Sequence, residues 1–283
     1  MDAPSLQGLL TPPALALFGL CIGSFLNVVI HRMPLMLERE WRAESAELLG
    51  VQLEPAETLS LSRPRSRCPS CGHAITWYEN IPVLSYLWLR GRCSECRTRI
   101  SPRYPLVELL TGILFGLVGW RFGATPVALL WCGFAAVLVA LSGIDWDTTF
   151  LPDNLTLPLL WAGLVSSAAG WTIPLSESVW GAVVGYLSLW SVYWLFKLTT
   201  GKEGMGFGDF KLLAALGAWL GLKMILPIVL AASIIGAMIG IVMKLGGALR
   251  EGRYVPFGPF LAGAGLVVML AGPTRVLGLI GWA

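Results

Sequence analysis

Residues 125–144 read TPVALLWCGFAAVLVALSGI, a run without a single charge, and the next residue is Asp145. About 20 apolar residues carry an α-helix across the hydrocarbon of a bilayer, so this run is long enough to span. Working outward from it, seven further apolar segments fall at 12–30, 104–120, 154–170, 178–196, 210–222, 224–243 and 257–271. The composition agrees: 55% of the 283 residues are hydrophobic and 13% are charged, against about 25% charged in soluble domains. Mean hydropathy is +0.70. The pattern predicts an all-α polytopic integral membrane protein with about eight transmembrane helices. Segment 210–222 is short for a span and is expected to be tilted or partly embedded. Segment 12–30 has the look of a signal peptide, but only Asp2 is charged before it and no Ala-x-Ala-like site follows. It reads as a retained helix.

One long polar segment interrupts the apolar pattern, from 32 to 103. It holds 11 arginines and eight glutamates, so its charge is nearly balanced. A solvated domain fits this composition, and a nucleic-acid partner does not. The expected organisation is therefore a first transmembrane helix at 1–31, a cytoplasmic domain at 32–103 and a membrane-embedded domain at 104–283. Basic residues mark the cytoplasmic side of a membrane protein. Placing 32–103 there puts both termini outside and the loops around 145–153, 197–209 and 244–253 inside. The last two carry Lys197, Lys202, Lys244, Arg250 and Arg253, whereas the opposite loops hold only Arg121, Glu177 and Lys223. Asp145 and Asp209 then share one membrane face.

Within the polar segment, Cys68-x-x-Cys71 and Cys93-x-x-Cys96 are separated by 21 residues. Two such knuckles can bring four thiolates to a tetrahedral Zn²⁺, and a reducing cytoplasm argues against two disulfides. Four thiolates fill the coordination shell, so this zinc would be structural and would activate no water. It would brace a segment with few large apolar clusters of its own. The alternative is a set of free or redox-active thiols. His73 reads as a surface residue, while Cys21 and Cys132 read as small buried hydrophobes. "GAMIG" at 236–240 is a GxxxG pattern suited to close helix packing.

An ionisable group at the edge of a membrane helix is a functional candidate by default. Asp153 reads as the N-cap of the helix that follows it. Asp147 faces away from Asp145 on a helix. Asp145 ends a long apolar run, and taken alone it is equally a polar helix terminus. Asp209, in "GMGFGDFKLL" at 204–213, also admits an N-cap reading. Gly204, Gly206 and Gly208 go beyond what a cap needs: they leave the backbone bare for an extended peptide and open conformations closed to other residues. Two carboxylates at one depth suggest an aspartyl protease site in which one acid keeps its proton. With only His31 and His73 in the chain, no nucleophile–histidine pair competes.

Taken in order, "GSFLNVVIHRMP", the two CxxC pairs, "RYPLVELLTG", "IDWDTTFLPDNLT", "GMGFGDFKLLAALGAW" and "PFGPFLA" resemble the signatures of the type IV prepilin peptidases, also called leader peptidase/N-methyltransferases. The resemblance covers nearly the whole chain. It implies that Asp145 and Asp209 are the catalytic pair and that Cys68, Cys71, Cys93 and Cys96 bind zinc. It implies removal of short basic leaders from prepilin and pseudopilin substrates, after a glycine, in the bacterial inner membrane with the site facing the cytoplasm. It further implies N-methylation of the new N-terminus with S-adenosylmethionine. That activity rests on the resemblance alone, since no glycine-rich nucleotide loop is present; the cysteine-bearing domain is the contributor it implies, with Glu108 as a candidate and no assigned donor-binding residue. Two other classes fit parts of the sequence. A transporter would use the two acids as a proton or cation relay, but both lie toward one face and the glycines go unexplained. An assembly factor would use the zinc domain to bind partners.

Overall fold

The structure, a computed structural model, describes residues 10–52, 59–246, 255–279 and 281–282. Arg250 and Arg253, counted above toward the cytoplasmic side, and the chain's first nine residues lie outside these. The described residues form ten α-helices: α1 (Pro12–Leu49), α2 (Leu84–Trp88), α3 (Arg103–Phe122), α4 (Pro126–Thr148), α5 (Asp153–Ala168), α6 (Leu175–Thr200), α7 (Phe207–Leu220), α8 (Ile225–Leu245), α9 (Gly258–Ala271) and α10 (Pro273–Leu279). They contain no strand, only two isolated bridges, Arg67 with Ala74 and Arg92 with Arg99.

Every apolar segment read from the sequence is helical, but fewer than eight are long enough to cross. Five helices have the length and composition of a span, or six if α9 and α10, bent by 106° at their junction, form one. Helices α5, α7 and α9 are the short ones. The first helix does not stop at the end of its apolar run near Ile30; it continues through Pro34 to Leu49. Its outer half is polar, and Gly50 ends it in the left-handed conformation that favours glycine.

The chain divides into two compact units, Met1–Ala136 and Val137–Ala283. In the first, α1 packs along α3 at the distance glycine allows. A Cβ on Gly19 would lie 2.8 Å from the Thr111 carbonyl, and one on Gly23 would lie 2.6 Å from the Glu108 Cα. Asn27 Nδ2 donates to the Tyr104 carbonyl at 3.1 Å, and Arg32 Nη1 donates to the Ser60 carbonyl at 2.9 Å. These bonds tie the middle of the polar segment, at Ser60, and the residue just past its end, Tyr104, to one stretch of α1.

In the second unit α7 is the core. Every residue from Asp209 to Leu220 except Lys211 is buried, and α5, α6 and α9 pack around it. That explains its length: a helix sheathed by protein need not match the bilayer. Closest approach is between α6 and α7, where a Cβ on Gly181 would fall 2.2 Å from the Gly217 carbonyl oxygen and one on Gly185 would fall 2.7 Å from that of Leu213. The GxxxG that matters here is thus "GAVVG" at 181–185. In the expected "GAMIG", a Cβ on Gly236 would meet only the Phe260 ring, at 3.0 Å, and one on Gly240 only Val255, at 3.7 Å. Buried polar groups around α7 are paired. Ser178 Oγ donates to the Ala218 carbonyl at 2.7 Å and Trp219 Nε1 to the Leu159 carbonyl at 2.8 Å. In an apolar surrounding an unpaired group would cost about 2 kcal/mol or more.

Candidate functional site

Asp145 lies in the last turn of α4, and Asp209 in the first turn of α7. Both are buried, 4% and 8% exposed, and lie close enough for the charge of Asp145 to act on Asp209. Asp147 is exposed, as its offset from Asp145 on a helix requires. Neither N-cap reading holds. Helix α7 begins at Phe207 with Gly206 as N-cap, so Asp209 sits inside the helix and is free of the capping role. Helix α5 is preceded by Pro152, and Asp153 makes no cap bond. Its two carboxylate oxygens instead each accept from Lys211 Nζ at 2.7 Å. That pair fastens the start of α5 to the first turn of α7, two residues beyond Asp209.

The three glycines before Asp209 stand in three different settings. None has a positive φ, so their conformational freedom is not used. Gly208 is needed for packing, since a Cβ there would lie 2.7 Å from the Leu151 Cβ; at Gly204 it would lie 2.9 Å from the Phe196 ring. Only at Gly206 is there open space, with nothing within 4 Å of the Cβ position. Leu151, 5% exposed, also stands 3.2 Å from the Cβ position of Gly258. The Gly258 N–H donates to Asp145 Oδ2 at 2.9 Å. Sequence reading noticed "PFGPFLA" without a role for it. The signal present was a proline just inside a helix start.

The four cysteines meet in the first unit. Their sulfurs all lie within 4.8 Å of one another, with Cys68 to Cys96 at 3.7 Å and Cys71 to Cys93 at 4.0 Å. Four sulfurs at about 2.3 Å from one tetrahedral ion stand roughly 3.8 Å apart, whereas a disulfide needs about 2.05 Å. The two knuckles are built alike. Cys68 N–H donates to the His73 carbonyl and Cys93 N–H to the Thr98 carbonyl, both at 2.9 Å. Each loop turns through a left-handed residue, Gly72 (φ 74°) and Arg97 (φ 60°). Hydrogen bonding to Thr98, through its hydroxyl and then its backbone, holds the Cys96 thiol down to about 6, which favours the thiolate a metal requires. His73 is not in the cluster. Its Nε2 lies 3.2 Å from Glu79 Oε2, and that oxygen also accepts from the Thr76 N–H at 2.8 Å and hydroxyl at 2.7 Å. A Ser94 hydroxyl bond joins these and, as the largest cause, holds Glu79 down to about 2. Glu79 therefore bridges the first knuckle, through His73, and the second, through Ser94.

One expectation about a single residue changes. Cys132 is buried but Cys21 is exposed on α1. Glu108 is buried in the α1–α3 contact, where its carboxylate accepts from the Val83 N–H at 2.7 Å and from Ser24. Val83 has φ 61°, uncommon for a β-branched residue. The carboxylate thus holds a turn of the polar segment against α3.

Residues 17–122 match the Bacterial Peptidase A24 N-terminal domain, and residues 132–241 match the Type IV leader peptidase family. Curated relatives carrying the name prepilin leader peptidase/N-methyltransferase are similar over most of their length. The protein of Stutzerimonas stutzeri is 53% identical over 259 residues, covering 90% of this chain and 88% of its own. That of Pseudomonas aeruginosa is 52% identical over 257 residues (90% and 89%), and that of Aeromonas salmonicida 54% over 265 (90% and 89%). No solved structure matches significantly. The all-helical fold with its long apolar helices, the Cys₄ cluster and these relatives agree: the chain belongs to the type IV leader peptidase family and is a multi-pass membrane peptidase.

Proposed function

We propose that this protein removes the short basic leader of type IV prepilins and pseudopilins after a glycine, at the cytoplasmic face of the bacterial inner membrane, and methylates the new N-terminus. The observation that carries the peptidase chemistry is the convergence of Asp145 and Asp209, buried and within electrostatic reach, from motifs far apart in sequence. Two carboxylates this placed share a proton, because both ionise together only at high cost. The ionised member takes a proton from water as it attacks the scissile carbonyl. The protonated member polarises that carbonyl and then passes its proton to the leaving amine. No covalent intermediate forms. A prepilin whose apolar helix lies in the bilayer would present its leader junction at the depth of this pair, and the open backbone at Gly206 offers an extended peptide a place to lie. Gly204 and Gly208 flank it, close to Phe196 and Leu151.

The division into a first helix (1–31), a cytoplasmic domain (32–103) and a membrane peptidase domain (104–283) accompanies this reading, with both termini periplasmic. The Cys₄ distances fit zinc, which Cys68, Cys71, Cys93 and Cys96 would hold as a structural brace. For methyl transfer, a cavity of about 590 Å³ in the first unit has Tyr86, Arg90, Arg92, Arg99 and Ser101 in its lining. That volume is in the range of small-molecule sites, and its guanidinium groups suit the carboxylate of S-adenosylmethionine, which supplies the methyl group to the pilin amine.

Processing of a prepilin in membranes carrying Asp145→Asn or Asp209→Asn tests the mechanism. Each variant should lose cleavage by at least about 10³-fold, the scale of removing a reacting group. Methylation of a peptide that already lacks its leader should continue in both. Normal leader removal by either variant would sink the aspartyl mechanism.

A further inference from the structure

The start of α9 lies beyond residue 241, where the family match ends, yet it touches the site. A helix begins with four backbone N–H groups that have no partner in the helix, and here each can be followed. Pro259 has none to give. The Phe260 and Leu261 N–H groups both turn back to the Phe257 carbonyl, at 3.1 and 3.2 Å. Gly258 is left, and its N–H donates to Asp145 Oδ2 at 2.9 Å. The bond is charge-assisted when Asp145 is ionised, and it points along the positive end of the α9 dipole. A larger residue would push the carboxylate away: a Cβ at 258 would lie 2.6 Å from that same oxygen. Leu151 fixes the spacing from the other side. It fills the gap between the Cβ positions of Gly258, 3.2 Å away, and Gly208, 2.7 Å away, immediately before Asp209.

We infer that the Gly258 amide is a positioning group for catalysis: it clamps Oδ2 of Asp145 and leaves Oδ1 as the oxygen that handles the proton of the attacking water. The inference rests on Asp145 being a catalytic acid. Sequence around 258 is thereby assigned to the chemistry of an aspartate more than a hundred positions away, through one backbone bond. A charge-assisted hydrogen bond of this kind is worth a factor of about 10 to 100 when lost, and its loss should fall on kcat. Substrate binding should be spared, because the bond acts on the orientation of the Asp145 carboxylate.

The test replaces the residue-258 amide by an ester, with glycolic acid incorporated at that position during cell-free synthesis into nanodiscs. This removes one N–H and adds no bulk. The expected result is a fall in kcat of about 10- to 100-fold with KM unchanged, while zinc content and methylation of a leader-free peptide match the parent. Gly258→Ala, which keeps the N–H but displaces the carboxylate, should lose at least as much kcat with the same two controls intact. A parental kcat in the ester variant would overturn the inference, and so would a loss confined to KM or one shared equally by methylation. Asp145→Asn, measured in parallel, separates the two levels. If it remains active the aspartyl mechanism itself fails; if it is inactive, a parental ester variant removes only the role of Gly258.

Discussion

At the scale of single residues, the structure assigns partners that the sequence leaves open. Glu79 reads as one more acid among eight in a balanced polar segment, yet it is the point where the two cysteine knuckles are joined. Its carboxylate is held down to about 2 by Ser94, Thr76 and His73. A depressed carboxylate stabilises the fold fully above its ordinary value, 4.5 here, and that contribution disappears as pH falls through about 2. Across neutral pH its effect is therefore constant. The purified protein should contain one zinc per chain. Glu79→Gln should fold with zinc but surrender it to a chelator about tenfold faster or more, the usual scale for losing a supporting contact, and by the same factor at pH 6.5 and pH 8. Equal release from parent and variant, followed with a colorimetric zinc dye, would refute the bridge. The Lys211–Asp153 pair teaches a similar lesson. Asp153 was legible as a polar helix start, but its partner, 58 residues on, was not, because nothing local in either stretch points at the other.

Among elements, contrast α7 and α8. Both are apolar and both carry small residues, and α8 is the more apolar of the two. Only one is a core helix, and burial on every side lets so short a helix cross within protein instead of against lipid. The glycine stripe that seats it is on α6. Gly181→Ala would place a methyl group 2.2 Å from the Gly217 oxygen, forcing the helices apart. Overpacking of this sort costs about 1–3 kcal/mol, and here backbone must move, which favours the upper end. We expect a lowered thermal midpoint in detergent and reduced cleavage, since α7 carries Asp209. Gly240→Ala, where only Val255 stands 3.7 Å away, should change neither. A Gly181 variant as stable as the parent would show that the α6–α7 contact is not a constraint. GxxxG patterns are common in apolar helices, so the sequence could show that such packing exists without saying which copy performs it.

For the whole molecule, the membrane character, helical class and cysteine framework were open to reading, and so was the family. The side of the membrane is argued from charge. A phosphatase that is active only outside the cytoplasm, fused after Lys202, should be silent, and fused after Lys223 it should be active. The opposite pattern would invert the topology and move the proposed site to the other face. Of the eight apolar segments, five or six form helices with the length and composition of a span, because composition measures how apolar a segment is and does not set where its helix ends.

The sequence by itself determined that this chain lives in a membrane, that four cysteines at CxxC spacing can share one metal, and that Asp145 and Asp209 are exceptional. Those conclusions rest on properties local to a segment: length, charge, spacing and solvation cost. Tertiary structure alone decided that Asp145 is held by the amide of Gly258, that Leu151 sets the gap beside Gly208, and that Glu79 joins the knuckles. Each is a contact between segments distant in sequence or between side chain and backbone, and local composition carries no record of which groups the fold brings within 3 Å.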